Sequence, residues 1–125
     1  MDVSFAVSRA RPGFTAGKYP AECATRVVLS HVTSRWGVLV LLALEGGSLR
    51  WGELRRQIEG VSEKMLASTL RTLETDGIVH REAQATIPPR VDYSLTPRGR
   101  EIAARLLPLM DWIADNADDI VAGTQ

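Results

Sequence analysis

The sequence predicts an α+β fold, mainly α, in which two helices joined by a tight turn lead directly into an antiparallel ribbon, with further helices at both ends. Three observations carry that reading. Trp51, Leu54 and Ile58 fall at i, i+3 and i+7, and Leu66, Leu70 and Leu73 resume helical spacing after the short break Glu59-Gly60-Val61. Beyond Gly77 the pattern changes to strict alternation, the period of a strand. Thr96-Pro97 then restarts a helix, with a hydroxyl cap followed by proline at the first helical position.

The whole chain, taken in order, is consistent with that frame. Its 125 residues, 45% hydrophobic and 24% charged, suit one globular domain with a single core and leave no room for a second. Residues 1–20 mix Pro12, Gly13, Gly17 and Pro20 with no period and are expected to be an extended arm; residues 21–120 form the domain and 121–125 a tail. Cys23, Val27, Leu29 and Val32 fit a short first helix, and Ser34 is placed to cap a second that ends at Gly46-Gly47. Trp36 to Leu44 is apolar on nearly every side, as the central buried helix of a small bundle would be. Ser48-Leu49-Arg50 leaves room for a very short strand, and the third helix follows with Arg55 and Arg56 off its buried face. Ser62 caps the fourth helix, which runs to Asp76 and stops at Gly77.

In the ribbon, Val79, Arg81, Ala83 and Ala85 alternate with His80, Glu82, Gln84 and Thr86, and Val91, Tyr93 and Leu95 answer from a second strand. Pro88-Pro89-Arg90 stiffens the tip and gives it a positive charge. The last helix carries Ile102, Leu106, Leu109, Met110 and Ile113, and Pro108 removes one of its backbone bonds and is expected to kink it.

This order of elements is the winged helix-turn-helix: the second helix of the pair fits the major groove of double-stranded DNA, and the ribbon reaches the neighbouring backbone or minor groove. At about 100° per residue, Lys64, Ser68, Arg71 and Thr75 gather on the side opposite Leu66, Leu70 and Leu73. Arg71 can present a bidentate fork to guanine, while Lys64 and Ser68 can bond phosphates or base edges. Arg50, Arg55, Arg56, Ser62, Thr72 and Arg90 complete the candidate DNA-binding set. Any one of these side chains is equally what a solvated surface looks like, and only the constellation sets them apart. A net charge of zero lacks the basic excess common in nucleic-acid binders. The acidic excess, however, sits beyond residue 100, and residues 50–100 hold nine Lys or Arg against seven Asp or Glu.

Other classes find less support. Cys23 is the only cysteine, which excludes an intramolecular disulfide and a zinc site of several thiolates. His31 and His80 have no partners in a recognisable motif, and Cys23 and His31 on one helix would lie about 12 Å apart along its axis. No catalytic residue, metal or cofactor is expected. No apolar run nears the roughly 18 residues that cross a bilayer, and no signal-peptide core follows Arg9 and Arg11, so no membrane partner and a cytoplasmic location are expected. The rival reading is a winged helix used for protein contact or ligand sensing, without specific DNA recognition.

The residues that enter and leave the fourth helix, Gly60-Val61-Ser62-Glu63-Lys64-Met65-Leu66 and Leu70-Arg71-Thr72-Leu73-Glu74-Thr75-Asp76-Gly77-Ile78-Val79, are similar to those of the HxlR family of bacterial regulators, relatives of the MarR type. Cys23, Trp36 and the run Pro88-Pro89-Arg90-Val91-Asp92-Tyr93-Ser94-Leu95-Thr96-Pro97-Arg98-Gly99 extend the resemblance over about Cys23 to Trp112. The chain departs from the family at Trp51-Gly52 and at the small Ala67-Ser68-Thr69. The resemblance implies a homodimer formed by flanking N- and C-terminal dimerisation helices, with Val27, Leu106, Leu109, Met110 and Ile113 as the seam. The same residues can also pack within one subunit. It further implies a roughly palindromic operator, repression as the expected outcome, and, in some members, sensing of oxidants, electrophiles or another small-molecule effector at the position of Cys23. Burial statistics favour a different state for that residue, a buried thiol acting as a small hydrophobe.

Overall fold

The computed structural model describes residues 23–123, so the arm expected over residues 1–20 lies outside the described residues. The chain divides into two compact units, Met1–Ser34 and Arg35–Gln125. In the first, helix α1 (Ala24–Val32) starts from an extended Cys23, whose carbonyl accepts the backbone N–H groups of Arg26 and Val27, both at 3.1 Å. At its far end the Thr33 hydroxyl donates to the Leu29 carbonyl at 2.6 Å, satisfying one of the acceptors that a helix terminus leaves open.

The second unit holds the helix-turn-helix. The apolar run after Ser34 forms α2 (Arg35–Glu45), which ends where Gly47, at φ +136°, turns the chain out of the helix. Helix α3 (Trp51–Gln57) opens with the Glu53 carboxylate accepting the Arg50 backbone N–H at 2.8 Å, half of a capping box. Helix α4 (Glu63–Thr75) begins with the Ser62 hydroxyl accepting the Met65 N–H at 3.1 Å, as the sequence predicts. It ends at Gly77, whose φ of +74° lets Ile78 N–H reach back to the Leu73 carbonyl at 2.9 Å.

The very short strand expected within Ser48-Leu49-Arg50 is present and joins the ribbon. Strands β1 (Leu49–Arg50), β2 (Val79–Gln84) and β3 (Arg90–Leu95) form an antiparallel sheet in the order β1-β3-β2, with Leu49 opposite Tyr93 and Val79 opposite Leu95. Two residues are too few to show a period, so only the partner strand reveals β1 as part of the sheet. Helix α5 (Pro97–Val121) then runs on through Pro108 as one element.

Leu41, Leu54, Leu66 and Leu73 are wholly buried, joined by Val40 and Leu44 of α2, Ile78 just before the first wing strand, Val79 at its start, and Ala103 of α5. Helix α2 packs on α4, α5 and β3, the central position that its all-round apolar sequence requires. One polar knot fixes the sheet to the end of α4. Thr96 N–H donates to the Ile78 carbonyl at 3.1 Å, its hydroxyl donates to the Gly77 carbonyl at 2.7 Å, and the same hydroxyl oxygen accepts the Gly99 N–H at 3.0 Å. The wing therefore cannot rotate freely against α4. No single described helix is long and apolar enough to cross a membrane.

Candidate nucleic-acid interface

Helix α4 sorts its side chains as the angular argument requires. Leu66, Leu70 and Leu73 are 0%, 2% and 0% exposed, while Lys64, Ser68, Arg71 and Thr75 are all exposed on the other side. Thr72 is half-buried on the flank. No hydrogen bond or ion pair ties Lys64 or Arg71 to any described residue, so both cations face outward uncommitted. Ser62 is engaged differently. Its oxygen serves as the cap of α4, which leaves mainly its proton for an outside acceptor.

The neighbouring cations divide in the same way. Arg56 is exposed on α3, whereas Arg55 donates to the Glu63 carboxylate at 3.2 Å and so links α3 to the first turn of α4. With the two side chains 39% and 73% exposed, that bridge contributes at most about 1 kcal/mol, and a phosphate can displace it. Arg50 is exposed at the β1–α3 junction.

Arg90 is not at the tip of the wing. It opens β3 opposite Gln84, and its Nε donates to Asp92 Oδ1 at 3.2 Å; the tip itself is made by Ile87, Pro88 and Pro89, with Ile87 fully exposed. The strand pairing decides this, because the ladder closes at Gln84–Arg90 and leaves only the residues between as loop. Between the tip and the β1–α3 junction lies an open cleft of about 510 Å³, lined by Arg50, Trp51 and the stretch from Thr86 to Val91.

Trp51, Ile87 and Asp92 therefore join the site although periodicity alone did not mark them for it. For Asp92 a signal was present: residues two apart on a strand share a face, which puts it beside Arg90.

Among the residues expected at a dimer seam, Leu109 and Ile113 are 53% and 39% exposed, Met110 is half-buried, and Leu106 is only 9% exposed. Leu106 is thus packed into its own chain and has little surface to offer a second copy. Val27 on α1 is 42% exposed. Cys23 is half-buried rather than sealed in a core. His80 bonds Glu82 at 2.8 Å on an exposed strand, and no metal-ligating cluster occurs among the described residues.

Known proteins share this arrangement. The family described as HxlR-like helix-turn-helix matches residues 31–120. The chain is 50% identical over 104 residues to the uncharacterized HTH-type transcriptional regulator YtfH of Escherichia coli (strain K12), covering 83% of this chain and 82% of that one. A solved structure of ytfH from Salmonella typhimurium, described as a transcriptional regulator, aligns with a TM-score of 0.77 at 48% identity, over 82% of this chain and 92% of the other. The redox regulator HypR in its oxidized form aligns with a TM-score of 0.70 at 35% identity, over 75% of this chain and 97% of the other.

Proposed function

The chain belongs to the HxlR-like helix-turn-helix family, and from that premise we propose that it binds a near-palindromic operator in a sequence-specific way, as a homodimer, and represses from it. It is a transcription regulator and not an enzyme. The observation that carries the proposal is the outer face of α4, where Lys64 and Arg71 stand exposed and unpaired among the described residues above a fully buried leucine face. Guanine presents two acceptors in the major groove that fit the Arg71 fork, and Arg56 and Arg50 lie on the elements before α4 to meet phosphates. A two-fold dimer would present this face twice, to half-sites about one helical turn apart. The exposed Leu109 and Ile113 on α5, and Val27 on α1, are the apolar side chains that such a dimer would cover.

Selection of bound sites from random duplex DNA tests this reading, with binding then measured across a salt series. The expected result is a short inverted repeat whose affinity falls as salt rises, with a log–log slope of about −0.9 per phosphate contacted. A slope near zero with no enriched sequence would end the proposal in favour of a winged helix that docks on protein.

A cytoplasmic site of action follows from the same reading. So does an effector response at Cys23, supported by the likeness to a redox regulator and by the thiol's partial exposure. With one cysteine per chain, oxidation by diamide would remove one hydrogen from each of two Cys23 thiols and join them across the dimer, the diamide being reduced to its hydrazine. Cys23→Ser is expected to abolish any effect of diamide on operator binding. An unchanged diamide effect in that variant would remove Cys23 from the mechanism.

A further inference from the structure

We propose that Asp92 is a positioning residue that aims Arg90 at a backbone phosphate of the operator, across the cleft beneath the wing tip. The inference rests on the DNA-binding reading above and assigns a role to a residue which that reading leaves out.

A carboxylate on a DNA-facing wing repels phosphate, so its presence there needs a reason. The geometry gives one. The Asp92 side chain is only 15% exposed, and both of its oxygens are engaged: Oδ2 accepts from Gln84 Nε2 at 2.6 Å and Oδ1 from Arg90 Nε at 3.2 Å. Gln84 and Arg90 are cross-strand partners at the last rung of the ladder, so one carboxylate ties together the two strands where they part to form the tip.

Holding Arg90 by Nε has a particular consequence. Neither terminal nitrogen of the guanidinium has a partner among the described residues, and these two nitrogens remain as a fork for phosphate oxygens. Arg90 and Arg50, on neighbouring strands of the sheet, both line the cleft, so a strand passing between the wing tip and the β1–α3 junction meets two cations. An arginine on a free tether would lose rotamer freedom on binding; one already fixed by Asp92 loses less.

The role predicts a sign opposite to that of simple charge. Removing Asp92 makes the protein more positive, and by electrostatics alone should tighten DNA binding. On the present inference, Asp92→Ala in the full chain weakens binding to the selected duplex by about three- to fivefold, the size of effect of an exposed charge-assisted contact. In an Arg90→Ala background the same substitution weakens nothing. Asp92→Asn, which keeps an acceptor for Arg90 Nε, restores part of the loss. Arg90→Ala lowers the salt slope by about one, and thermal unfolding of each variant confirms that the fold is kept. Tighter binding by Asp92→Ala, or an equal loss with and without Arg90, would overturn the inference while leaving the DNA-binding reading intact. Failure of the unmodified protein to bind any duplex would remove that reading, and this inference with it.

Discussion

Gly99→Ala is expected to destabilise the fold by about 3 kcal/mol, although the same change inside most helices stabilises by up to about 1 kcal/mol. A methyl group at this position would stand 2.1 Å from the Ile78 carbonyl oxygen, and 3.2 Å from both the Ile78 carbonyl carbon and Leu95 Cδ2. The obstruction is backbone, not the end of a flexible side chain. That backbone is also pinned, because the Ile78 carbonyl accepts the Thr96 N–H at 3.1 Å while the Thr96 hydroxyl donates to the adjacent Gly77 carbonyl at 2.7 Å. Relief would have to pull the start of α5 away from the end of α4 and break the knot joining wing and helix. For a domain of this size the loss would lower the thermal midpoint by roughly 10 °C or more, measurable by circular dichroism. Gly52→Ala is the matched control. There the added methyl would meet nothing nearer than Arg56 Nη1 at 3.7 Å, and the midpoint should hold or rise. An unchanged midpoint for Gly99→Ala would show that α5 can slide off Ile78 at no cost.

The second large effect concerns DNA. Arg71→Ala should weaken operator binding by about 1–3 kcal/mol and relax discrimination at one base position, the cost of losing one bidentate base contact. Lys64→Ala should weaken binding more evenly across sequences and reduce the salt slope by about one. Combined, the two substitutions should lower affinity at physiological salt by about a hundredfold or more. Both side chains lie on the solvent side of α4 with no partner among the described residues, so unfolding midpoints should barely move. That separates loss of recognition from loss of fold. If the double variant binds the selected duplex as tightly as the parent, α4 is not the recognition helix.

How much of this was legible beforehand differs by element. The leucine stripe of α4 and its Ser62 cap were legible because both are local: the first depends only on 3.6 residues per turn, and the second on a hydroxyl placed three residues before the amide it accepts. The same holds for Thr96-Pro97 at the head of α5. The wing was readable as two alternating strands, but Arg90 was assigned to its tip because loop length cannot be read from a Pro-Pro pair without the register. Leu106 and Leu109 are three apart with the same chemistry, yet one is buried in the chain and the other half-exposed.

The amino-acid order by itself determined the helix-turn-helix, the wing, and which face of α4 carries charge, since each follows from periods and caps that act within a few residues. Tertiary structure alone decided the pairing of β1 with β3, the close pass of Gly99 over Ile78, the link from Arg55 to Glu63, and the bond from Gln84 to Asp92. Most of these depend on contacts between segments far apart in sequence. A side chain's neighbours across such a distance are set by how the packed elements meet, and no local repeat encodes that.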